Sequence, residues 1–136
     1  MKQFFIFFCF LFLITACSKD SAIDYRDEFI GEFEGIQSSY SHLINPSGPP
    51  FETDTTYTTY VTITKGICDS CLVIERTMAS VYHDTIVMPA NGKYIYDLYY
   101  DYQFEITISG DSIRIYQSHS SPSYQSSYHF NGKKTN

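Results

Sequence analysis

The sequence has no tryptophan, and lysine and arginine supply only nine of its 136 residues against fifteen aspartates and glutamates. So little positive charge excludes a nucleic-acid interface and argues against anionic head groups as partners; the one basic pair, Lys133-Lys134, is too small to steer a polyanion. There is no Gly-x-Ser-x-Gly elbow, no glycine-rich phosphate loop and no His-Glu-x-x-His. The common signatures of serine hydrolases, nucleotide-binding enzymes and zinc peptidases are therefore missing. The four histidines, at 42, 83, 119 and 129, never fall at the paired spacing of zinc ligands. His83 and Asp84 are neighbours in an extended segment, so their side chains point to opposite faces and form no direct dyad. The expectation is a non-enzyme without cofactor or bound metal. No internal repeat is visible, and the length suits one domain.

One long apolar run exists, residues 4–16, preceded by Lys2. Thirteen helical residues span about 20 Å, short of the roughly 30 Å core of a bilayer, which fits a secretory signal better than a permanent span. The run closes Ile14-Thr15-Ala16-Cys17, which resembles a bacterial lipobox, departing from it at Ile14 where leucine is commoner. The resemblance implies cleavage before Cys17, lipidation of its sulfur and acylation of its amine. An ordinary secretory signal followed by a free cysteine is the alternative. Acyl chains, palmitate among them, would anchor the protein to a membrane at about 0.8 kcal/mol per buried methylene. Loss of Lys2 with the signal takes the net charge from −6 to −7. Residues 17–24 then read as the acylated cysteine and a tether; seven extended residues reach at most about 25 Å. Ser18-Lys19-Asp20 partly resembles the signal that sends lipoproteins to the outer leaflet of the outer membrane. The expected address is the cell envelope, at the outer membrane.

Cys9 leaves with the signal and Cys17 takes lipid, so Cys68 and Cys71 remain as a possible pair, outside the reducing cytosol. The spacing Cys-Asp-Ser-Cys admits three readings. A thiol oxidoreductase would need Cys68 at a helix start, yet Leu72-Val73-Ile74 favours strand, and Asp69 opposes a thiolate. A zinc site lacks its other two ligands. A disulfide across a tight turn is the favoured reading, because the ends of a four-residue turn lie within disulfide reach.

The mature chain reads as strand after strand. Residues 24–29 suggest one helical turn capped by Asp24. Period-two alternation follows: Tyr57, Val61 and Ile63 within 56–65; Phe104, Ile106 and Ile108 within 102–109; Ile113 and Ile115 within 112–118. With 31–38, 71–78, 81–87, 93–100 and 126–132 this makes about eight strands. Gly110-Asp111 and Asn91-Gly92 carry hairpin-turn signals. Segments 41–54 and 118–126, rich in serine and proline, are expected to be long loops. The fold expected for residues 25–136 is all-β, a single antiparallel up-and-down barrel, with a β-sandwich as the alternative.

Within that pattern, Phe29-Ile30-Gly31-Glu32-Phe33 resembles the start of lipocalin-like (calycin) domains, with Phe33 where that family has tryptophan. The closing YHFNGKK is similar to the last strand of small lipocalin-like bacterial lipoproteins. The resemblance implies a binding barrel and names no ligand. Among 13 tyrosines, Tyr94, Tyr96 and Tyr100 share one face of a strand and are the candidate wall of a cavity. The function expected is a lipid-anchored envelope binding protein, its ligand a small apolar or amphipathic molecule or a partner at the open end. The alternatives are an envelope inhibitor or assembly factor acting through loops 41–54 and 118–126, and a thiol oxidoreductase using Cys68 and Cys71.

Overall fold

The computed structural model describes residues 23–77, 81–98 and 101–135; the segment expected to be a signal, Cys17 and Tyr100 lie outside the described residues. A 3₁₀ turn, Tyr25–Glu28, leads into eight strands. These are β1 (Gly31–Leu43), β2 (Phe51–Lys65), β3 (Cys71–Thr77), β4 (Val81–Val87), β5 (Lys93–Leu98), β6 (Tyr102–Ser109), β7 (Ser112–Ser121) and β8 (Tyr124–Lys134). They form one antiparallel sheet in the order β4-β3-β2-β1-β8-β7-β6-β5. Because β1 pairs with β8, the meander curls round into a nearly closed barrel, and there is one sheet rather than the two of a sandwich.

Alternation makes the strands what they are. Phe104, Ile106 and Ile108 on β6 face the interior with Ile113 and Ile115 on β7, joined through Gly110 at φ 56°. The positive φ is why glycine stands there. Gly35 lies opposite Gly132 where β1 crosses β8. A Cβ on Gly35 would run into the Asn131 carbonyl and the Gly132 backbone, so only glycine lets the two strands approach so closely.

Two expectations need correction. Segments 41–54 and 118–126 are mostly strand: β1 pairs with β2 out to Leu43–Phe51, and β7 with β8 out to Ser121–Tyr124. Their serines, threonines and tyrosines alternate well enough to pair, and the prolines fall in the short turns 44–50 and 122–123. Asn91-Gly92 makes a turn, with the Gly92 N–H donating to the Pro89 carbonyl, but not a hairpin, because β4 and β5 do not pair. Their link instead drops Met88 into the core, where it is fully buried, and the Tyr25 hydroxyl donates to its carbonyl at 2.9 Å. The seam between β4 and β5 therefore leaves two edges that full closure would have removed.

The interior divides along the barrel axis. The half next to the N-terminal turn is packed solid: Phe33, Val61, Leu72, Ile74, Met88, Ile106, Ile115 and Phe130 are each 0% exposed. Each such side chain contributes about 1.5–3 kcal/mol relative to exposure. Phe29 caps this half. Asp24 caps the turn and pairs with Arg26 at 2.7 Å and Lys65 at 3.0 Å, and Lys65 also reaches Asp27 at 2.7 Å. The Arg26 hydrogen bonds, with Lys65 assisting, hold the Asp24 carboxyl well below the usual carboxylate range. Arg26 Nη1 also donates to the Cys68 carbonyl at 2.6 Å, tying the N-terminal turn to the β2–β3 corner.

Candidate functional site

The turn between β2 and β3 holds the cysteine pair. Cys68 and Cys71 form a disulfide with Cα atoms 5.1 Å apart. The Cys71 N–H donates to the Cys68 carbonyl at 3.1 Å, and Cys71 opens a strand, not a helix. Nothing in that arrangement supplies the helix dipole that activates a redox thiol. Here the pair acts as a staple at a hairpin corner.

The opposite half of the barrel is polar, and its first layer is built on Arg76. On β3 the inward alternation runs Leu72, Ile74, Arg76, and the register sets Arg76 across from Val61 on β2 and Tyr82 on β4. Arg76 is 6% exposed. Its Nη2 donates to Asp84 Oδ2 at 2.5 Å and its Nη1 to Gln117 Oε1 at 3.0 Å. The guanidinium carbon sits 5.1 Å from the Tyr128 ring centroid and 5.6 Å from that of Phe104. Asp84 offsets the buried charge, and the two aromatic faces add cation–π attraction.

This layer is not fully satisfied. Among the described residues, Arg76 Nε, the Tyr128 hydroxyl and Gln37 Oε1 are buried without a hydrogen-bond partner. Gln37 Nε2 donates to the Tyr57 hydroxyl at 2.5 Å and to Ser39 Oγ at 3.3 Å. Burial pushes the Tyr128 hydroxyl up to about 12, against the pull of the neighbouring Arg76 charge. Each orphaned group carries a desolvation penalty of about 1–3 kcal/mol.

Above Arg76 lies a cavity of about 330 Å³. Ser39, Ser41, Thr53 and Ser126 supply hydroxyl walls, Tyr82, Tyr124 and Tyr128 supply rings, and Tyr40 and Ser127, whose side chains point to the outer face, line it from their strands. Arg76 and Gln117 complete the lining, which among the described residues contains no aliphatic side chain and no acid, histidine or cysteine. Small-molecule sites are more often lined mainly by apolar groups, with volumes of about 300–1,000 Å³. The arrangement offers hydrogen bonds and ring faces.

Tyr94 and Tyr96 share the inward register of β5, opposite Ile106 and Phe104. Tyr94 is half-buried against the core, its ring edge-on to Phe104 with centroids 6.2 Å apart; Tyr96 is 42% exposed and packs edge-on to Tyr102. Neither lines the polar cavity. Sequence reasoning passed over Arg76, and took Asp84 only as the neighbour of His83. The signal was present: a charge continuing the inward alternation Leu72, Ile74, and a second on the strand facing it.

Fold and site together define an antiparallel, nearly closed eight-strand barrel with one solid half and one hollow polar half. No family model, no curated protein and no solved structure matches the chain.

Proposed function

We propose that this protein is a lipid-anchored, non-enzymatic binding protein of the bacterial cell envelope, attached through Cys17 at the outer membrane. In this reading its lipocalin-like barrel receives a small ligand in the cavity over Arg76. The observation that carries it is the position of that cavity: a hollow over a buried, incompletely bonded arginine, at the end of the barrel away from the N-terminal turn. A domain tethered at Cys17 would hold its solid end toward the membrane and its cavity toward the solvent. The solid apolar half leaves no room for a purely apolar ligand, which narrows the expectation to a polar or amphipathic one.

Two measurements test the proposal. Cells expressing the chain with labelled palmitate should yield a labelled protein, and Cys17→Ser should abolish the label; label retained in that variant would refute the anchor. A small-molecule screen by thermal shift on the full chain should give a raised Tm that Ser126→Leu abolishes. Hits unaffected by that change would refute the site.

An alternative reading, a partner-binding inhibitor or assembly factor, is favoured by one feature. Leu43, Ile44 and Phe51 are 46%, 48% and 63% exposed at the tip of the β1–β2 hairpin. Pull-down of envelope proteins on the full chain, lost in Ile44→Asp, would support it.

A further inference from the structure

We infer that the cavity over Arg76 takes a neutral polyhydroxylated ring, that is, the face of a saccharide. The inference rests on the ligand-binding reading above and specifies its chemistry.

The walls select the class. Serine and threonine hydroxyls from β1, β2 and β8 face the space, and each both donates and accepts a hydrogen bond, as a sugar hydroxyl does. The tyrosine rings of Tyr82 and Tyr124 offer flat apolar faces with a polar tip, suited to the C–H face of a sugar ring. Among the described residues an aliphatic ligand would meet no aliphatic side chain in the lining, and its burial would strip water from hydroxyl groups without replacing their bonds.

Charge decides against an anion. Arg76 is already paired with Asp84, whose side chain is 36% exposed beside it. A carboxylate arriving over Arg76 would either displace Asp84 or face a like charge. A neutral hydroxyl meets neither obstacle. Arg76 has five N–H groups, and Gln117 and Asp84 each accept from one, which leaves donors beside the cavity for a ligand oxygen. A volume of about 330 Å³ admits one or two sugar rings and no extended chain.

The test titrates the ¹⁵N-labelled full chain, in a detergent without a sugar headgroup, and follows amide shifts. The probes are glucose, galactose, N-acetylglucosamine and cellobiose, with acetate and succinate as anionic controls. At least one saccharide should bind with Kd tighter than about 1 mM, shifting Ser39, Gln117 and Ser126. Ser126→Leu, which fills the wall, should weaken that binding at least about tenfold, about 1.4 kcal/mol, and leave distant amides in place. If Ser126→Leu fails to fold, Ser41→Leu in the same wall serves. Succinate binding that Ser126→Leu removes, without saccharide binding, would overturn the saccharide class and keep the ligand site. Absence of binding by every probe would overturn both.

Discussion

The Arg76 guanidinium lies 5.1 Å from the centre of the Tyr128 ring, whose buried hydroxyl has no hydrogen-bond partner among the described residues. A buried cation thus rests on an aromatic face while an unsatisfied O–H sits close by. Packing for stability alone disfavours such a pair, since an unpartnered buried O–H costs more than a matched apolar group. It suits a layer that becomes satisfied when something occupies the space above it.

Removing the carboxylate should therefore harm more than removing the pair. Asp84→Ala leaves Arg76 buried with one anionic partner fewer and should cost about 1–3 kcal/mol in urea unfolding, moderated by the partial exposure of Asp84. The double variant Arg76→Met, Asp84→Ala should be more stable than Asp84→Ala alone. Equal or lower stability of the double variant would contradict the assignment of Arg76 as a buried charge held by Asp84.

Tyr128 gives a pH prediction with a definite sign. Its folded pKa is raised to about 12, above the roughly 10 of an unfolded tyrosine. Its contribution is fully present below about pH 10 and is lost as pH rises toward about 12, by at most about 3 kcal/mol. Tyr128→Phe should abolish that alkaline step and leave neutral-pH stability unchanged or raised by up to about 1 kcal/mol. Tyrosinate absorbance and unfolding curves across this range check both parts.

The disulfide should matter little to either stability or binding. Closing a loop as short as Cys68–Cys71 constrains the unfolded chain by only about 2 kcal/mol. Cys68→Ser with Cys71→Ser should lower the urea midpoint modestly and leave affinity at the far end of the barrel intact. Thiol–disulfide exchange activity in the wild type, lost in this variant, would revive the oxidoreductase reading.

Gly35→Ala probes the close crossing of β1 and β8. The new methyl meets backbone rather than a movable side chain, so the strands must part, at a cost of more than about 2 kcal/mol. Gly110→Ala, where a Cβ meets open space, pays only for its positive φ and should cost about 1 kcal/mol.

Much of this barrel was legible in the sequence, for a physical reason. Strands half-buried on a curved sheet must alternate, so Phe104-x-Ile106-x-Ile108 and Ile113-x-Ile115 announced themselves, and Gly110-Asp111 marked the turn between them. The long arms of β1, β2, β7 and β8 were not legible, because both of their faces are polar. Where Ser41 opposes Thr53 across a solvated sheet, their hydroxyls 2.6 Å apart, period-two hydrophobicity vanishes although the pairing remains. The β4–β5 seam was hidden because a turn signal reports a change of direction, not whether its flanks pair. The site was hidden for a related reason. Its residues come from β1, β2, β3, β4, β7 and β8, and only the register brings Ser39, Arg76 and Ser126 round one cavity.

The central claim is that the interior is divided into a solid apolar half and a polar half open to solutes. Amide shift mapping of the full chain against two probes, a saccharide and a fluorescent fatty acid, tests it most directly. The account predicts saccharide-induced shifts confined to Ser39, Gln117, Ser126 and their neighbours, and no fatty-acid shifts at Ile74, Ile106 or Phe130. A fatty acid that perturbs those three core positions would show a hollow apolar interior and contradict the account.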